Sequence, residues 1–181
     1  MKRWIATAAL LAGALPLASA HAKTQAFRDW ALRCPEDSAC ILEQRVFLEG
    51  SGETMLLHVA FQRPSGSSGI IAMVLAPLRL ELAKGLRLRI DQGAEQSFTF
   101  HHCRAEGCLA LVPVTAELRR TLERGRQARV TFTTIEGQSL GIPLSLLGIT
   151  KGLRALAKSS SSMPSPVPGE GQGEGSIRSG E

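Results

Sequence analysis

The 181-residue chain contains no tyrosine, and tryptophan and phenylalanine together make up only 4% of it. Proteins that hold nucleic acid combine clustered positive charge with aromatic stacking surfaces. Here Lys and Arg are scattered, so nucleic acid is not an expected partner despite a formal net charge of +5. The chain also lacks GxSxG, HExxH, a Walker-type loop and a Gly-rich dinucleotide fingerprint, and no serine stands beside a recognisable base. Nothing assembles as a reaction centre, so the expected protein is not an enzyme. Beyond the start of the chain no apolar run reaches the roughly 20 residues that span a bilayer. Cysteine is sparse but even in number: Cys34, Cys40, Cys103 and Cys108.

The two ends of the chain differ from its middle. Residues 1–22, MKRWIATAALLAGALPLASAHA, carry Lys2 and Arg3, an apolar run from Trp4 to Leu17, and small residues at Ala18 and Ala20. That is the pattern of a secretory signal peptide, cleaved after Ala20 or Ala22. No cysteine follows the run, so lipid attachment is not indicated. Export places the cysteines in an oxidising space, periplasmic or extracellular. Residues 158–181, from Lys158 onward, are almost entirely Ser, Pro, Gly and Glu with scattered apolar residues, a composition expected to form a disordered tail. Residues 23–157 remain as one domain.

Within that domain the hydrophobic period is two. Leu86, Leu88 and Ile90 alternate with Arg87 and Arg89; Leu78, Leu80 and Leu82 alternate, as do Phe98, Phe100 and His102, and Leu140, Ile142, Leu144 and Leu146. Further strands are expected at 40–47, 54–62, 69–76, 108–112 and 128–135, separated by turn formers at spacings of about ten residues. The expected fold is an all-β antiparallel sandwich of eight to ten strands with two short helices. Thr115 caps the first helix, AELRRTLERG, which Gly125 stops. Ile149, Leu153 and Leu156 share one side of the second, which is expected to pack on the sandwich.

The densest chemistry lies in FHHCRAEGCLA, residues 100–110. Four cysteines in an exported chain form a disulfide framework by default, with three connectivities open. Local closure, Cys34 with Cys40 and Cys103 with Cys108, is the simplest, the second pair clamping a hairpin whose turn is Arg104–Gly107. In the chain-entropy model each short loop contributes roughly 2 kcal/mol, against about 4 kcal/mol for a bridge across some seventy residues, so stability alone leaves the crossed pairings open. Strand alternation places His101 and Cys103 on one face and His102 on the other, so the histidines are expected not to converge on an ion. No metal or cofactor is expected. His58, within a strand, reads as a packed or surface residue, and Asp91 as a turn former.

The ordered combination of Trp30, Cys34, Cys40, Pro64-x-Gly66, GLRLRIDQG (85–93), Phe98, Cys103, Cys108, IPLSLLG (142–148) and a terminal helix resembles the bacterial invasion-associated locus B family over about residues 27–157. The resemblance implies an exported protein with an immunoglobulin-like β-sandwich, and some members from pathogens are associated with entry into host cells. Ile149 stands where members commonly carry an aromatic, and the tail lies outside the family pattern. Together these readings point to a non-enzymatic envelope or secreted module that binds an unidentified protein or envelope partner, with a host-invasion role if the source is a pathogen. The alternative is a periplasmic small-ligand or metal-binding module built on His101, His102 and Cys103.

Overall fold

The computed structural model describes residues 23–35, 38–50, 54–64 and 66–159; the expected signal peptide and the tail from residue 160 lie outside these. Among the described residues eleven strands and two α-helices follow one another: β1 (Lys23–Phe27), β2 (Trp30–Cys34), β3 (Ile41–Phe47), β4 (Met55–Gln62), β5 (Ile70–Ala76), β6 (Leu86–Ile90), β7 (Gln96–Phe98), β8 (Phe100–Arg104), β9 (Gly107–Val114), α1 (Ala116–Arg124), β10 (Gln127–Thr133), β11 (Ser139–Ser145) and α2 (Ile149–Ser159). α2 runs two residues past the boundary expected at 157. All strand pairs are antiparallel, in a seven-stranded sheet ordered β1-β2-β3-β4-β5-β9-β8 and a four-stranded sheet ordered β11-β10-β6-β7.

Alternation decides what lies between the sheets. Leu57, Val59 and Phe61 of β4, Ile70, Ala72, Val74 and Ala76 of β5, and Cys108, Ala110 and Val112 of β9 are buried on the inner face of the large sheet. They meet Leu86 and Ile90 of β6, Val130 and Phe132 of β10, and Ile142 and Leu144 of β11 in one core. The helices pack on this inner side. Leu118 and Leu122 of α1 enter the core beside Val59, Val112 and Leu144. α2 buries Ile149, Gly152, Leu153 and Leu156 and packs on β1, β2 and β3. A Cβ on Gly152 would lie 2.6 Å from Leu42 Cδ1, so helix and sheet meet at minimum separation.

The strand assignments depart from the sequence reading in three places. The alternation at Leu78, Leu80 and Leu82 is not a strand: Leu80 makes an isolated bridge to Thr134, Leu82–Lys84 forms a 3-10 turn, and Arg79 takes φ 65°, which breaks an extended run. Phe98, Phe100 and His102 do not share a strand, because the chain crosses at Thr99 from β7 in the small sheet to β8 in the large one. β1 and β2 are additional. β1 is exposed over four of its five residues and so carries no apolar alternation; β2 does alternate, through Trp30, Leu32 and Cys34.

α1 forms as the sequence indicates, with Thr115 Oγ1 accepting from Leu118 N at 3.1 Å. Gly125 ends it for a different reason than backbone freedom. Its φ of −69° suits any residue, but a Cβ there would stand 2.5 Å from Ile90 Cγ2 and 2.8 Å from Leu146 Cδ1.

Candidate functional site: the outward face of the large sheet

The outward side chains of the seven-stranded sheet fall into transverse rows. The register aligns Arg45, His58, Leu75, Leu109 and His102 across β3, β4, β5, β9 and β8. The neighbouring row is Glu43, Ala60, Met73 and Leu111, and the next is Ile41, Gln62, Ile71 and Pro113. Ile71, Met73, Leu75 and Leu109 are half-buried and Leu111 is 37% exposed. An apolar strip therefore runs along β5 and β9, with polar and basic groups at both flanks. Part of it is a depression of about 270 Å³ lined by His58, Met73, Leu75, His102, Arg104 and Leu109, among others.

One flank is organised by Glu43, which is 4% exposed on the outward side of β3. Its carboxylate receives Arg33 Nε, Arg45 Nη2 at 3.0 Å and His58 Nε2 at 2.8 Å. A carboxylate only accepts, so His58 Nε2 carries the hydrogen of that bond. Burial alone raises the Glu43 pKa; the hydrogen bonds from Arg33 and His58 and the charge of Arg45 together outweigh it and hold the carboxyl below its ordinary 4.5. His58 is thus a packed residue held in an ion-pair cluster, and the cluster contains no nucleophile.

The other flank is the hairpin β8–β9. Cys103 and Cys108 are directly opposed in register and bridged, with Cα atoms 3.9 Å apart. Cys34 and Cys40, at the facing ends of β2 and β3, are bridged with Cα atoms 4.1 Å apart. The expected separation of the histidines does not hold. Phe100 pairs with Ala110 and His102 with Leu109, so His101 is the extra residue of a β-bulge. The bulge resets the alternation, and the two rings meet, His101 Nδ1 standing 2.6 Å from His102 Nδ1 with ring centroids 4.9 Å apart. Among the described residues no group of three His, Cys, Asp or Glu side chains gathers as for a metal ion.

The remaining motif residues fasten the sandwich. Trp30 Nε1 donates to Ser145 O at 3.0 Å, Gln44 Nε2 donates to Asp29 O at 2.8 Å, and Ser145 N donates to Gln44 Oε1 at 3.1 Å. Gln44 is buried at an inward position between Leu42 and Val46, so it ties β3 to β11 across the two sheets. The sequence reading missed both Glu43 and Gln44. The available signal was a polar pair inside ILEQRVF, one member of which necessarily points inward. Asp91, with φ 47°, accepts from Gln127 N at 3.0 Å and from Arg126 N at 3.2 Å, joining the end of β6 to the start of β10. Gly148, φ 96°, lies so close to Phe27 that a Cβ would sit 1.8 Å from its carbonyl oxygen.

Fold and site together define a class: a two-sheet antiparallel β-sandwich, stapled by disulfides in a manner consistent with export, whose motif residues hold the structure. Residues 30–157 match the model of the invasion associated locus B (IalB) protein family, and the chain belongs to that family. It is 30% identical over 133 residues, 71% of this chain and 76% of the relative, to an Invasion protein B homolog of Brucella abortus strain 2308, and equally to one of Brucella abortus biovar 1 strain 9-941. The crystal structure of invasion associated protein B from Bartonella henselae shares the fold, with a TM-score of 0.70 at 15% identity over 77% of this chain and 99% of that one.

Proposed function

We propose that the protein is an exported, non-enzymatic envelope or secreted module that binds a protein partner through the outward face of its large sheet. The observation that carries this reading is the apolar strip of Ile71, Met73, Leu75, Leu109 and Leu111, left half-buried or exposed on central strands whose other face is buried in the core. An apolar centre rimmed by polar groups is the anatomy of a protein–protein interface. The outward face of the small sheet is the contrast: Arg87, Arg89, Gln127, Arg129 and Thr131 lie there, with Arg89 directly opposite Arg129. The family motifs are absorbed by the fold, which leaves recognition of a partner to residues on the surface. The names of the Brucella relatives support a role in host-cell invasion if the source is a pathogen.

The test compares Leu111→Glu with Arg129→Glu in the mature protein, after matching circular dichroism and melting temperature. Affinity capture from envelope extracts of the native host, with and without residues 158–181, is expected to give a partner that Leu111→Glu loses and Arg129→Glu keeps. Capture of no partner, or of one that both variants keep, would refute the reading.

A further inference from the structure

We infer that His101 and His102 form a two-nitrogen site for a monovalent soft metal ion, Cu(I), at the edge of the large sheet. The bulge in β8 creates the geometry, since it turns two side chains that a regular strand would oppose toward one another, with Nδ1 atoms 2.6 Å apart. At that distance one neutral ring donates its Nδ1 hydrogen and the other accepts it. An ion takes the place of that shared hydrogen. Both rings then carry their hydrogen on Nε2, both Nδ1 lone pairs point at the ion, and no proton is released overall.

The number of ligands selects the metal. Among the described residues no third His, Cys, Asp or Glu joins the pair, and no cysteine there is free, so thiolate does not compete. Zn²⁺ in a structural site takes four protein ligands and would find half of them here. Cu(I), a closed-shell ion, is satisfied by two donors on opposite sides, and imidazole is among the ligands that suit copper. With metal–nitrogen bonds of about 2 Å, opposed nitrogens stand about 4 Å apart, so the rings open by a little over 1 Å. His101 is exposed and His102 half-buried, which leaves His101 room to move. His58 lines the same depression as His102 but is held by Glu43, so it serves as the internal control.

The experiment presents anaerobic Cu(I), as its weakly held acetonitrile complex, to the oxidised mature protein, followed by desalting, with free thiol assayed before and after. The wild type and His58→Ala are each expected to retain one Cu(I), with an X-ray absorption edge of two-coordinate nitrogen; His101→Ala and His102→Ala should each lose retention at least tenfold. A Cys103→Ser/Cys108→Ser variant should still bind, which separates the histidines from any thiolate site. Three results would overturn the assignment: retention by a His101→Ala/His102→Ala double variant, retention that requires reduced cysteines, or no retention by the wild type.

Discussion

Replacing Glu43 by Gln keeps the shape of the side chain, removes its charge and turns one of its two acceptor oxygens into an NH2 donor. At neutral pH the wild-type carboxylate holds three donors: Arg33 and Arg45, whose side chains are 48% and 44% exposed, and His58, which is 21% exposed. The arginines regain water when the charge is lost, so each interaction is worth the exposed-pair range of about 0.2–1 kcal/mol. The better-buried His58 bond sits nearer the 1.5 kcal/mol of hydrogen bonds to charged groups. Together these give about 2 kcal/mol, or a fall in melting temperature of about 6 °C for a domain of this size.

The pH dependence has a definite sign. The folded pKa of Glu43 is depressed below 4.5, so its contribution is complete above the unfolded value and is lost as pH falls through the folded one. The gap between wild type and Glu43→Gln should narrow as pH falls below 4.5 and close once the native carboxyl is protonated. Thermal denaturation followed by circular dichroism from pH 7 to pH 2.5 measures it. An unchanged melting temperature at pH 7, or a gap that widens as pH falls from 4.5 to 2.5, would show that Glu43 is not held as described.

Replacing Cys103 and Cys108 together by Ser should cost about 2 kcal/mol by the chain-entropy model, leaving the β spectrum intact, and unreduced peptide maps of the wild type should recover Cys103 joined to Cys108 and Cys34 joined to Cys40. Gly148→Ala forces a side chain onto the Phe27 carbonyl at φ 96°; a destabilisation above about 2 kcal/mol is expected in urea titration. Gln44→Leu leaves Ser145 N and Asp29 O without their side-chain partner, at a cost of about 2 kcal/mol, read as a lower urea midpoint at constant slope.

The sandwich was legible because its strands alternate and its turns are spelled by Gly, Pro, Ser and Asp. The cap at Thr115 was legible because capping is local. What escaped depends on register. Whether Leu80 continues a strand is decided by the positive φ of Arg79, and whether Phe98 and Phe100 share a sheet is decided by a crossing at Thr99 that no local pattern marks. Strand alternation, which separates His101 from His102, holds only in an unbulged strand, and the bulge exists only relative to the pairing with β9. Glu43 is an acidic residue in a strand until Arg33, ten positions away, and His58, fifteen away, are brought beside it. The apolar strip on the outward face likewise exists only once β5 and β9, thirty residues apart in the chain, lie side by side.

The central claim is that the protein works through the outward face of its large sheet. It is tested most directly by placing a photo-crosslinking amino acid at Met73 or Leu111 on that face, and at Arg89 or Arg129 on the outward face of the small sheet, in the native host. The account predicts a discrete adduct from Met73 and Leu111 and none from Arg89 and Arg129. Adducts formed equally from both faces, or only from the arginine positions, would contradict it.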